Sequence, residues 1–102
     1  MVSTDLIVYG DYMSQPSRAV FAFCLLNKIP HQVQIVSVVA MDQYSAEFKA
    51  VNPNAKVPAI SDNGLKLFES NTILRYLHDT RKCADHWYPK EERARAKVEE
   101  YL

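Results

Sequence analysis

Two short stretches of this sequence carry side chains whose type and spacing suggest chemistry. The first is YMSQPSRAV, residues 12–20, centred on Ser14-Gln15-Pro16-Ser17. Its spacing is that of a redox C-x-P-C centre, yet serine stands at both cysteine positions, so dithiol exchange is excluded there. What remains is the Ser14 hydroxyl, which can act as a catalytic hydrogen-bonding group or simply cap the helix that follows. The second is KVPAI, residues 56–60, a strand-like run with Pro58 inside it. Proline in a strand requires an edge, a bulge or a special peptide bond. The other reactive residue types are dispersed. Cys24 and Cys83 lie far apart and fit neither a metal nor a CxxC spacing. His31, His78 and His86 are equally scattered, so no metal site is expected and packing or surface roles are assigned to them.

Elements must bring these groups to one place, and the sequence indicates which. LIVYG, residues 6–10, reads as a buried strand ended by glycine and Asp11. A turn over 11–13 leads to Ser14 as N-cap, with Pro16 in the first helical turn, where its missing N–H costs little. The helix PSRAVFAFCLLNK runs to about Lys28, is apolar on most faces and should pack on a sheet, with Cys24 in the core. QVQIVSV, residues 32–38, alternates as a second strand. MDQYSAEFKAVN spaces Tyr44, Phe48 and Val51 as a short second helix, stopped by Asn52-Pro53-Asn54. A third strand over 56–60 precedes Asn63-Gly64, the strongest hairpin signal in the chain, and a fourth over 65–68. Glu69-Ser70 opens a helix with Ile73, Leu74 and Leu77 on one face, ending near Asp79; taken alone, this pair is a helix cap with an exposed acid. RKCADHWYPK is a linker that Trp87 and Tyr88 anchor by apolar packing. Pro89 opens a last helix with an apolar stripe at Ala94, Val98, Tyr101 and Leu102. The order β-α-β-α-β-β-α plus one helix is an α/β fold, parallel in its first half and antiparallel at the hairpin.

Bulk properties narrow the function classes. The 102 residues, 48% hydrophobic and 24% charged, suffice for one domain with a core. Twelve basic residues balance twelve acidic ones, and no basic run occurs, which argues against nucleic acid or an anionic membrane as partner. The longest apolar run is far short of a membrane span. The first five residues lack the pattern of a signal peptide, and two lone thiols suit a reducing compartment, so a cytoplasmic location is expected.

MSQPSRAV after a first strand, NPNAKVPAI, LKLFESNTILRYL and DHWYP stand together in the order and spacing of the N-terminal half of theta-class glutathione transferases. The chain resembles that family from about Leu6 to Leu102. The resemblance implies a thioredoxin-like βαβαββα domain over residues 1–82, with 83–102 forming a linker and the first helix of a missing or truncated all-helical domain. It implies glutathione as co-substrate and no metal. Ser14 would be catalytic, its hydroxyl donating to the glutathione sulfur. Pro58 would follow a cis bond, with the Val57 backbone pairing with the cysteinyl unit. Glu69 would receive the γ-glutamyl ammonium and Ser70 its carboxylate. Lys56 would meet a glutathione carboxylate or remain an exposed lysine, Gln43 would reach the glycyl end, and Arg18 is structural. Two departures stand out: Ala40-Met41-Asp42 replaces basic residues, and Ala55 stands where glycine is usual. The expected function is detoxifying transfer of glutathione to a small electrophile, by a homodimer or a chain docking on a partner through its last helix. The alternative is a non-catalytic, transferase-like structural or interaction module.

Overall fold

The computed structural model describes residues 5–101. Strand β1 (Leu6–Gly10) alternates between two environments, with Leu6, Val8 and Gly10 buried and Ile7 and Tyr9 half-buried. The pattern is the strand's own period of two: Leu6, Val8 and Gly10 share the face under the larger core, and Ile7 and Tyr9 share the other, which is covered less completely. β1 pairs in parallel with β2 (Gln32–Ile35) and antiparallel with β3 (Ala59–Asp62), and β3 pairs antiparallel with β4 (Leu65–Phe68), in the order β2-β1-β3-β4. The parallel pair needs a crossover, which α1 (Gln15–Leu26) supplies.

Helices α1 and α3 (Ser70–Thr80) cover one face of the sheet. There Leu6 and Val8 meet Val20, Phe21, Cys24, Ile60, Ile73 and Leu77 in the main core. The other face packs on α2 (Ala46–Val51), where Phe48 meets Val36, Ala59 and, edge-tilted at 5.9 Å, Tyr9. A single turn of 3-10 helix, Asp42–Tyr44, precedes α2. Another, Asp85–Trp87, precedes α4 (Glu92–Glu99). The linker is anchored as expected: Tyr88 is buried, and Trp87 stands edge-on to Phe23 at 5.6 Å. Among the described residues no helix is long and apolar enough to cross a membrane.

The thioredoxin-like order holds, but several boundaries shift for physical reasons. β2 stops at Ile35 rather than residue 38, because Val36 turns into the core and Ser37 pairs with Asp42 instead of a strand. The second helix starts at Ala46, since the Ser45 hydroxyl caps the Phe48 N–H at 3.2 Å. β3 begins after Pro58, not at residue 56, as a residue without N–H cannot donate to the ladder. α4 begins at Glu92, where the Glu91 carboxylate accepts from the N–H groups of Arg93 and Ala94; those two bonds, Ala94 first, hold the Glu91 acid below its usual range. Of the stripe read for this helix, Ala94 and Val98 are half-buried and Tyr101 is 89% exposed, while Leu102 lies outside the described residues.

Candidate functional site

The strand register brings the candidate residues to one edge of the sheet. Tyr9 lies opposite Ala59, and Ala59 opposite Phe68, so the end of β1, the start of β3 and the end of β4 coincide. Gly10 lies opposite Ile35, which adds the end of β2. Ser14 follows β1, Lys56, Val57 and Pro58 precede β3, Glu69 and Ser70 follow β4, and Gln43 belongs to the segment after β2. The N-termini of α1 and α3 open at the same edge. Their first N–H groups have no partner within the helix, and the helix dipole makes such ends favourable for anions. Cys24 and His78 belong to the far ends of those helices, and Cys83 follows the end of α3. Cys24 is fully buried, and burial pushes its thiol up to about 11. His78 is buried too, with Nδ1 on the Asp79 carboxylate and Nε2 on the Ala84 carbonyl.

Ser14 is half-buried and sits in extended backbone at the N-cap, where its Oγ accepts the Ser17 N–H at 3.3 Å. Accepting through a lone pair does not use the hydroxyl proton, so the cap and a donor role are compatible. The turn before it is short. The Ser14 N–H donates to the Asp11 carbonyl at 2.9 Å, and Arg18 Nη1 to the Tyr12 carbonyl at 2.7 Å, so Arg18 is structural. Gly10 allows α1 to come this close. A Cβ there would lie 2.8 Å from Phe21 Cζ and 2.9 Å from Ser17 Cβ. Ser17 is fully buried, and its Oγ has no hydrogen-bond partner.

The Val57–Pro58 peptide bond is cis, with Pro58 buried, Val57 half-buried and Lys56 exposed. The segment is shaped by Asn52, a residue that the sequence marked only as a helix stop. It is fully buried, donates from Nδ2 to the Lys56 carbonyl at 2.9 Å and accepts the Asn54 N–H on Oδ1 at 3.0 Å. Its buried amide thus replaces a ladder for the loop. Ala55 has φ 56°, the left-handed region that favours glycine, which accounts for the glycine usual at that place.

Glu69 is exposed and has φ 72° and ψ 115°, an unusual conformation for a residue with a side chain. Half-buried Ser70 begins α3, whose first turn contains no acidic side chain to compete with an anion. Across the edge, residues 37–44 fold back on themselves: Asp42 accepts the Ser37 N–H at 3.2 Å and donates its own N–H to the Ser37 carbonyl at 2.9 Å. Gln43 is half-buried, and its Oε1 is buried without a hydrogen-bond partner. The flanks of this mouth are apolar, with Tyr12, Met13, Val39 and Met41 all exposed.

The signal that sequence reading missed is Asp11. It is buried, and its carboxylate accepts the N–H groups of Met13 at 3.0 Å and Val38 at 2.8 Å. These two bonds hold its acid below the usual carboxylate range. An aspartate closing a strand reads as turn chemistry, and only the fold reveals the second loop.

Comparison with known proteins places this geometry. Residues 7–79 match the family model for the N-terminal domain of glutathione S-transferases. The chain is 51% identical over 98 residues to glutathione S-transferase T1 of Arabidopsis thaliana, covering 95% of this chain and 40% of that protein. It superposes on human glutathione transferase theta-2, solved with glutathione and an unknown ligand, at TM-score 0.93 and 42% identity, covering 95% of this chain and 40% of that one. A human theta-class transferase solved with the glutathione conjugate of 1-menaphthyl sulfate gives TM-score 0.94 at 41% identity, covering 97% of this chain and 41% of that one. The chain therefore spans about two fifths of the length of these relatives, always their N-terminal part. With a family model over most of its length, this chain belongs to the glutathione S-transferase family and carries its N-terminal domain.

Proposed function

We propose that this chain binds glutathione at the sheet edge and keeps its sulfur ionised for attack on a small electrophile. The observation that supports this most is the convergence of Ser14, Val57 and Glu69-Ser70 at one edge between two helix N-termini. A thiol is a poor nucleophile until it ionises, and a free thiol titrates near 8.5. Lowering that value by two units takes about 3 kcal/mol. A hydrogen bond from the Ser14 hydroxyl to the thiolate contributes about 1.5–3 kcal/mol, and the α1 N-terminus adds to it. Ser14 is then neither nucleophile nor base. Glu69 takes the γ-glutamyl ammonium, Ser70 and the α3 N-terminus take its carboxylate, and the Val57 backbone pairs with the cysteinyl unit. Lys56 and Gln43 serve the glycyl end. In the relatives a further three fifths of chain accompanies this domain, so conjugation, detoxification, dimer formation and a cytoplasmic setting are proposed for the protein on the strength of those relatives.

Calorimetric titration with glutathione tests the site. Binding should be lost in a Glu69→Gln, Ser70→Ala double variant. Ser14→Ala should bind nearly as well yet leave the bound thiol protonated at neutral pH, read from its ultraviolet thiolate absorbance; an unchanged thiol pKa would remove Ser14 from the mechanism. A second reading, a non-catalytic module docking through α4, draws support from that helix. None of its residues is fully buried, and the ion pairs Arg75–Glu99 and Arg95–Asp79, both at 3.6 Å, join it to α3. No heat at millimolar glutathione would favour this second reading.

A further inference from the structure

Two segments face each other across the mouth of the site. One is the turn between β1 and α1, which carries Ser14; the other is residues 37–44, which carry Gln43. The strand ladder continues only to the Val36 N–H, which donates to the Gly10 carbonyl at 2.9 Å. Beyond it, a side chain joins the two. Asp11, 7% exposed, accepts the Met13 N–H on Oδ1 at 3.0 Å and the Val38 N–H on Oδ2 at 2.8 Å, while its own carbonyl accepts the Ser14 N–H at 2.9 Å. We propose that Asp11 is a positioning residue of this site: its carboxylate locks the Ser14 turn to the 37–44 segment, so that the sulfur-facing hydroxyl and the Gln43 end of the groove are set as one unit. This rests on the glutathione reading above. The role is geometric rather than electrostatic. A negative charge this close to Ser14 by itself disfavours a thiolate, and the two N–H groups that hold the carboxylate are what it is there to organise.

Asp11→Asn separates the two effects. Asparagine can accept from one amide but presents an NH2 to the other, so one bond is replaced by a donor facing a donor. We expect glutathione affinity to fall about tenfold, the size of one lost charge-assisted bond, and the bound thiol's pKa to rise. Loss of charge alone would lower that pKa. Hydrogen exchange should quicken at the Met13 and Val38 amides while Val8 and Ile60 remain protected. Asp62→Asn, which breaks a clamp at the opposite edge, controls for general destabilisation and should leave affinity and thiol pKa unchanged. If Asp11→Asn fails to fold, Asp11→Glu, with both acceptors on a longer arm, should show smaller losses in the same readouts. Wild-type binding with an unchanged or lowered thiol pKa in the Asp11 variant overturns the proposal. A wild-type chain that takes up no glutathione overturns the glutathione reading, and this role with it, a pattern that cannot be confused with the first.

Discussion

At Gly10 the backbone of β1 and the first turn of α1 are as close as atoms permit. A methyl group there would meet Phe21 Cζ at 2.8 Å and Ser17 Cβ at 2.9 Å, both on buried side chains with little room to move. Gly10→Ala should therefore destabilise the fold by about 1–3 kcal/mol, the usual cost of overpacking. It should also displace Ser14, which belongs to the same turn. Denaturant unfolding and glutathione titration of this variant should both be impaired; a fully stable variant would mean that α1 can shift outward freely. The conformation of Glu69 at φ 72° belongs to the same scale. The residue types at 69 and 70 were readable as a helix cap, but no local rule places a glutamate in that backbone region. The strain shows only once β4 and α3 fix the two sides of the junction.

Among the elements, α1 and α3 end alike. After α1, the Ile29 N–H donates to the Cys24 carbonyl and the Lys28 N–H to the Leu25 carbonyl, with Lys28 at φ 54°. After α3, the Cys83 N–H donates to the His78 carbonyl, with Lys82 at φ 52°. Both are Schellman-type ends in which lysine occupies the left-handed position that glycine usually takes. The apolar pattern of the sequence extends α1 to about Lys28, past its end at Leu26. Lys82 is exposed, so Lys82→Gly removes the steric cost without loss of packing. The expected gain is about 0.5–1 kcal/mol in denaturant unfolding, since glycine adopts this region freely. A loss instead would show that the lysine side chain contributes more than its backbone costs. By contrast, the hairpin was fully legible, because Asn63 at φ 50° and Gly64 at φ 93° follow the local chemistry of the Asn-Gly turn.

Across the whole molecule, three acids tie distant parts together. Asp11 joins two loops at the mouth. At the opposite edge, Asp62 accepts Arg81 in a two-point pair at 2.6 and 2.9 Å and the Tyr76 hydroxyl at 2.5 Å, clamping the hairpin to α3. Asp79 accepts from His78 and lies 3.6 Å from Arg95 of α4. Each is held below the ordinary carboxylate value of 3.8: Asp11 by the Met13 and Val38 amides, Asp62 first by the Arg81 hydrogen bond, Asp79 first by His78. A depressed folded pKa stabilises the fold above the unfolded value, and that stability is lost as pH falls through the folded one. Stability contributed by these acids should thus be complete above 3.8 and decline below it. Asp62→Asn should cost about 1–3 kcal/mol near neutrality and flatten the decline in acid. Denaturant melts across that range decide the matter, and an acid slope equal to wild type would exclude the clamp.

The sequence by itself determined the kind and order of the main elements, the cap at Ser14, the Asn63-Gly64 turn and the family, because each depends on neighbours a few residues away or on motifs in linear order. Only the tertiary structure decided that the ends of four strands converge on one edge, that Asp11 spans two loops, that Asn52 fills the turn before Pro58 and that Gly10 admits the first turn of α1. Those features depend on atoms brought together from distant positions, and no local spacing encodes which atoms those are.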